Sequence, residues 1–251
     1  RSGGCLVKRW VLFLVLALPW LIPHLAHAQA VSIDLGQSGG AGTTSRLVQL
    51  SALITVLSLA PSLLVMVTAF TRIVIVLSLL RSALGAQGTP PNTVLIGLAL
   101  FLTLFVMQPT LQKSWDTGVA PMMAGQVGEM EGLSKVAQPF HDFMAATARP
   151  ADISTFLNIA HEKPPEKLVD TPWRVLVPAF MIGELRRGFE MGFLLYLPFL
   201  VIDLVVSSVL MSLGMMMLPP STVSLPFKLI FFVIVDGWSL VAGSLVRSFT
   251  G

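Results

Sequence analysis

The sequence predicts an all-α membrane protein: two apolar helical hairpins with a helical, water-facing insert between them. Hydrophobic residues make up 54% of the 251 residues and charged residues 12%, with a mean hydropathy of +0.81. These values exclude an ordinary soluble domain of this length. Several apolar runs reach about twenty residues, which is enough for a helix to cross a hydrocarbon core. The run Gly214–Pro220, with three methionines and two prolines, predicts the turn of the last hairpin.

Residues 1–28 have the three-part pattern of a secretory signal peptide. The basic residues Lys8 and Arg9 come first, the apolar run Trp10–Pro23 follows, and Ala26-His27-Ala28 supplies the small-residue cleavage motif. We expect cleavage after this motif. The alternative is an uncleaved first membrane anchor.

The first hairpin is predicted over residues 47–112. Its first arm, Leu47–Leu80, has Arg72 as its one charge, and Pro61 should kink or split the helix. Its second arm, Val94–Gln112, has no charge at all and is the clearest membrane span.

Residues 113–172 are far more polar and predict a water-facing helical insert. One helical face is apolar, and we expect it to pack against a neighbouring subunit, because so small an insert builds little core of its own. This face comprises Leu133, Val136, Ala137, Phe140, Phe143, Met144 and Thr147. A second short helix should begin at Asp152 as N-cap and run to His161. With the signal peptide cleaved, two crossings place this insert in the periplasm.

The second hairpin spans residues 173–251, with arms Gly188–Leu213 and Leu225–Val246. The arms also contain Glu190 and Asp236, but the charged residues singled out at or within them are Glu184, Asp203 and Lys228. Because ionised side chains are costly in lipid, such residues should face a protein interior or another subunit. The chain is therefore predicted to be one subunit of a packed membrane assembly. A proton relay is the alternative role for Asp203.

Four methionines cluster at the hairpin turn: Met211, Met215, Met216 and Met217. Single methionines usually fill gaps in a core, but helix packing gives no reason for three in a row. Unbranched thioether side chains are adaptable enough to close around a pore and still yield to varied polypeptides. The competing interpretation is a copper(I) relay, which would more often have cysteine or histidine nearby.

No pattern predicts an enzyme, a resident metal or a cofactor. The motif Gly36–Gly40 imitates a serine-protease nucleophile, but it lies in the Gly- and Ser-rich linker predicted for residues 29–46. His161-Glu162 begins like a zinc-protease helix, yet Pro164 follows where that motif requires helix. The net charge of +3 is too small to indicate nucleic-acid binding.

Long stretches of the chain resemble one family. The resemblance covers residues 57–109, 178–220 and 224–249, and it includes the runs GELRRGFEMGFLLYLPFLVIDL and LPFKLIFFVIVDGWSL. These closely resemble the FliP family of flagellar biosynthetic proteins, which is related to the export gate of the injectisome type III secretion machine.

The resemblance implies a pore-forming subunit of the flagellar type III export gate, in the bacterial inner membrane at the flagellar basal body. It implies a homo-oligomeric ring, a pentamer, completed by FliQ and FliR, that passes unfolded flagellar subunits. It further implies that Glu184, Asp203 and Lys228 pair between subunits, and that Met215, Met216 and Met217 form a gasket sealing the closed channel. The alternative, from a different class, is a small-solute or metal-ion transporter with a binding site between two repeated halves.

Overall fold

The computed structural model describes residues 51, 54–55, 58, 62, 65–86, 88–215 and 218–250. The predicted signal peptide, the linker and Pro61 lie outside these residues. The chain divides into two compact units, Arg1–Thr55 and Val56–Gly251, and the elements below belong to the second. The described residues contain helices and turns and no strand, which confirms the all-α prediction.

Eight α-helices of the second unit have both ends within the described residues, and residues 65–67 before them are also helical. After a bend at Thr68–Ala69, they are α1 (Phe70–Leu84), α2 (Asn92–Ser114), α3 (Ala120–Met123), α4 (Glu129–Thr147), α5 (Pro150–Ile159), α6 (Trp173–Ser212), α7 (Pro220–Ile234) and α8 (Gly237–Thr250). A π-helical turn, Trp115–Val119, joins α2 to α3, and a 3-10 turn, Leu168–Asp170, comes before α6.

Helix α6 is the longest of these helices. It joins the insert to the cluster of apolar helices α1, α2, α7 and α8, which together with the apolar part of α6 are called the membrane half below. At about 1.5 Å per residue, its 40 residues extend about 60 Å, twice the thickness of a hydrocarbon core. The predicted arm began at Gly188, but the helix begins at Trp173. Hydropathy identified the lipid-compatible part, whereas the earlier turns pack against the insert.

Two hydrophobic clusters lie along α6. The first joins α1, α2, α6, α7 and α8, with Ile73, Leu77 and Leu245 at its centre. The second joins α4, α5 and the start of α6 around Met144 and Phe180. Because both clusters contain or contact α6, this helix couples the insert to the membrane half.

Helices α1 and α6 run parallel and touch at two glycines. A Cβ atom on Gly188 would lie 3.2 Å from Ile75 Cβ, and one on Gly192 would lie 2.2 Å from Leu79 Cδ1. The two glycines are four residues apart and therefore share a helix face. Small residues in this pattern let helix backbones approach closely within a membrane.

The structure of the insert differs from the sequence prediction in two respects, the packing of its apolar stripe and the start of its second helix. Its apolar stripe packs mainly within the chain: Ser114 Oγ donates to the Val136 carbonyl at 2.9 Å, and the Phe143 ring lies between those of Phe180 and Phe249. Leu133 alone of its large side chains is mostly exposed, at 62%. The reason is that α2 and α6 extend beyond the membrane half and supply the missing core.

The start of the second insert helix also differs from the prediction. Helix α5 begins at Pro150, after Arg149 as N-cap, and Asp152 lies in its first turn. Proline favours the first helical position because its fixed φ suits a helix and its missing N–H leaves no donor unsatisfied there. This preference outweighed the capping tendency of Asp152.

The returning arm of the last hairpin is bent. Helices α7 and α8 meet at Val235–Asp236 with an angle of 63°, so the predicted single arm Leu225–Val246 is two helices. By length and composition, the described residues contain two helices able to cross a membrane, Asn92–Met123 and Trp173–Ser212. There are three spans if the bent pair counts as one.

The close approach of α1 and α6 predicts a large effect from Gly192→Val. The added side chain overlaps Leu79, so the helices must separate, and we expect a loss of about 1–3 kcal/mol of unfolding free energy. Gly97→Val is the control, since nothing lies within 4 Å of a Cβ at Gly97 on α2. Thermal unfolding in mild detergent measures both; equal midpoints would contradict the predicted contact.

Candidate functional site

The most buried charged contact joins Arg72 on α1 to Glu184 on α6, and each side chain is 1% exposed. Arg72 Nε donates to Glu184 Oε2 at 2.9 Å, and Nη2 donates to Oε1. Nη1 donates to the carbonyl and hydroxyl oxygens of Ser248 on α8, at 3.0 and 2.9 Å. The contact therefore holds three helices together.

The geometry explains why this position carries arginine. A planar guanidinium can donate to both carboxylate oxygens and still present a third nitrogen, whereas an ammonium is a compact point charge. The Arg72 guanidinium carbon also lies 3.7 Å from the centre of the Phe249 ring, within cation–π range. Arg72→Lys would lose the paired geometry and the stacking.

A second charged contact lies further along the same helices. Lys228 on α7 is buried, and its Nζ donates to Asp203 Oδ2 on α6 at 2.6 Å and to the Ala83 carbonyl of α1 at 3.0 Å. Ser224 Oγ donates to Asp203 Oδ1 at 2.6 Å. The last carbonyls of a helix lack intrahelical partners and attract cations, so Lys228 also caps α1.

All three charged residues predicted from the sequence therefore have a partner in their own chain. The sequence predicts that a protein interior or another subunit shields these charges, and the family resemblance implies pairing between subunits. The structure supplies Arg72 and the Ala83 carbonyl from the first hairpin instead. Asp203 remains partly accessible, with a 35% exposed side chain. Whether these residues also contact another subunit stays a prediction.

Sequence reasoning missed Arg72, Ser224 and Ser248 as members of these contacts. A signal for Arg72 was present, because it is the one charge in the run Leu47–Leu80. Its partner could not be found in the same way. Pairing residues 112 positions apart requires knowing that α1 lies against α6. The two serines resemble many other small polar residues of membrane helices.

The hairpin turn connects α6 to α7. Gly214, at φ 71°, ends α6 in the left-handed conformation that glycine adopts most readily, and Met215 N donates to the Leu210 carbonyl at 3.0 Å. Pro219 and Pro220 then begin α7. Met211 and Met215 are 63% and 43% exposed; Met216 and Met217 lie outside the described residues.

The described residues contain no group of three histidine, cysteine, aspartate or glutamate side chains placed to hold a metal ion. What they do contain is a set of helices fixed to one another by two charged contacts. One end of that set carries a turn with exposed methionines. This arrangement is suited to positioning the turn.

Comparison with known proteins matches the FliP family model to residues 53–245. The chain belongs to the FliP family. A flagellar biosynthetic protein FliP of Caulobacter vibrioides is 56% identical over 230 residues, which are 91% of this chain and 86% of the relative. The FliP proteins of Agrobacterium fabrum and Bacillus subtilis are each 48% identical, over 94% and 86% of this chain and 98% of each relative. The match to the family covers the Arg72–Glu184 and Asp203–Lys228 pairs and the hairpin turn, and it ends before Ser248.

The buried Arg72–Glu184 contact of this FliP-family chain predicts a large loss of stability in Glu184→Gln. The change leaves a buried guanidinium without its counter-ion, and we expect a cost of about 3–5 kcal/mol. Glu190→Gln, on the same helix, is the matched control, because the Glu190–Arg186 pair is exposed. Unfolding in mild detergent should separate the two variants clearly.

The double variant Arg72→Met with Glu184→Leu distinguishes pairing from simple loss of contacts. Replacing both buried charges by apolar side chains of similar size removes the desolvation cost together with the attraction. We therefore expect it to be more stable than Glu184→Gln alone. A double variant that is less stable than Glu184→Gln would show that Glu184 acts independently of Arg72.

Proposed function

We propose that this chain is a pore-forming subunit of the flagellar type III protein export gate, passing unfolded flagellar subunits across the bacterial inner membrane. The match to the FliP family over residues 53–245 carries the proposal. The protein is multi-pass, lies at the flagellar basal body and catalyses no reaction. The energy for export comes from other parts of the apparatus.

The surface of the membrane half supports an assembly embedded in lipid. Large apolar side chains on α2, α6 and α7 are more than half exposed, among them Phe101 at 68%, Phe193 at 60% and Ile230 at 57%. A single soluble chain rarely exposes so much contiguous apolar surface. Lipid, sister copies and the partners FliQ and FliR would cover it in a ring, which we propose to be a pentamer.

The hairpin turn supports the sealing role. Two charged contacts hold α6 and α7 against their neighbours. The two helices that carry the turn are therefore fixed relative to each other. The turn itself carries adaptable thioether side chains, of which Met215 is exposed, and Met211 in the last turn of α6 is exposed beside it. We propose that the methionine turns of several copies meet and close the channel when no substrate is passing.

Purification of the chain co-expressed with FliQ and FliR tests the assembly. We expect native mass spectrometry in mild detergent to show one complex with several copies of this chain and both partners. Expression of the chain without FliQ and FliR is the comparison that reveals what the partners add. A stable monomer from the co-expressing cells would contradict the proposal.

Replacement of Met215, Met216 and Met217 by alanine tests the seal. The shorter side chains leave a gap, so we expect an intact complex and cells that leak small ions. Met123→Ala with Met130→Ala is the control, since these methionines are 74% and 83% exposed in the insert. Membrane-potential dyes measure the leak; tight cells carrying the triple variant would show that the methionines form no seal.

A further inference from the structure

Asp236 stands at the bend of the returning arm. Helices α7 and α8 together are long and apolar enough to form one broken span, and Asp236 lies at the 63° break between them. Its φ is 50°, in the left-handed region that aspartate tolerates better than most residues. The residue is exposed. A charged group therefore occupies the middle of an apolar segment, facing outward.

The bend is held in place by packing. A Cβ atom on Gly237 would lie 2.1 Å from Phe232 Cε2, so only glycine lets the Phe232 ring fold over the break. The Phe232 ring in turn packs edge-on against Trp238, with ring centres 5.2 Å apart. On either side, Lys228 fixes α7 and Ser248 fixes α8 to the charged contacts already described. The packing of Phe232 against Gly237 and Trp238 therefore fixes the outward position of Asp236.

No group in the described part of the chain forms a hydrogen bond or ion pair with the Asp236 carboxylate. A helix N-cap needs an extended backbone conformation, which a φ of 50° does not provide, so the carboxylate does not cap α8. Its neighbours Val233, Ile234 and Leu240 are 75%, 76% and 53% exposed and offer only carbon atoms. Contact with lipid alone would leave the charge unsolvated, which is costly.

The four helices that carry the charged contacts offer Asp236 no spare cation from a sister copy. Each lysine and arginine on the described helices α1, α6, α7 and α8 has a partner in its own chain. They are Arg72, Arg81, Arg174, Arg186, Arg187, Lys228 and Arg247. Taking one of them would break an existing contact. Without a free cation on these four helices, water at the channel surface would satisfy an ionised Asp236.

We propose that Asp236 lines a water-filled path at the bend between α7 and α8, where its carboxylate attracts cations. This inference rests on the proposed pore function, because the water in question is that of the export channel. The expected consequence is a path that favours cations over anions. The bend brings the carboxylate to the channel surface, and the packing of Phe232 on Gly237 keeps it there.

Cysteine accessibility tests the position. Cys5 is the sole cysteine, so Cys5→Ser gives a thiol-free background. In it, Asp236→Cys is compared with Phe101→Cys, an exposed apolar position on the uncharged part of α2. A membrane-impermeant cationic methanethiosulfonate is added to whole cells and to inverted membrane vesicles. We expect Asp236→Cys to react at least ten times faster than Phe101→Cys from one side; equal slow rates from both sides would overturn the proposal.

Ion selectivity gives a second measurement, and it uses a substitution that preserves the backbone conformation at the bend. Asp236→Asn retains a residue that tolerates a positive φ and removes only the charge. In the purified complex carrying alanine at Met215–Met217, we expect it to lower the potassium-to-chloride permeability ratio several-fold in planar bilayers. An unchanged ratio would overturn the role of Asp236.

The two experiments separate this inference from the function beneath it. If the methionine variant does not conduct, the proposed seal fails, while cysteine labelling still decides whether Asp236 meets water. If the methionine variant conducts and Asp236→Cys stays unlabelled, the pore function stands and the Asp236 proposal falls.

Discussion

The arrangement of the helices depends most on the guanidinium of Arg72. Burying an ion pair is costly, and the mutual attraction offsets that cost only when the geometry is good and the remaining donors are satisfied. Arg72 meets both conditions, because two of its nitrogens donate hydrogen bonds to Glu184 and the third donates to Ser248. An alternative packing of α1, α6 and α8 would leave a buried charge without a partner. The contact therefore selects one register among several that apolar surfaces alone would allow.

The same register continues along the α1–α6 interface. Arg72 meets Glu184, Ile75 meets Gly188 and Leu79 meets Gly192, so the contacts recur about one helical turn apart on both helices. A shift of one residue would separate the charges and also drive Leu79 into a neighbour larger than glycine. Charge and shape thus specify the same alignment. Agreement between independent constraints is what gives a sequence one preferred structure.

Hydropathy predicted long apolar helices, and the described residues contain two helices that are long and apolar enough to cross a membrane. It failed wherever the decisive information was a contact. The start of α6 at Trp173 follows from packing against the insert, and the partner of Glu184 lies 112 residues away. The bend at Asp236 was different. Aspartate followed by glycine is a turn signal in any sequence, and the apolar residues around it hid that signal.

Rigid helices and an adaptable turn are complementary requirements of a gate. A seal that must yield to unfolded polypeptides of varied sequence cannot rely on a close fit, so its side chains have to deform. Deformable side chains seal only if their backbones are held at a fixed spacing. Here Lys228 ties α7 to both α6 and the last turn of α1, and these are the helices that carry and flank the methionine turn. In the proposed seal, the buried charges at the base of the hairpin would hold the backbones that carry the deformable thioethers at its tip.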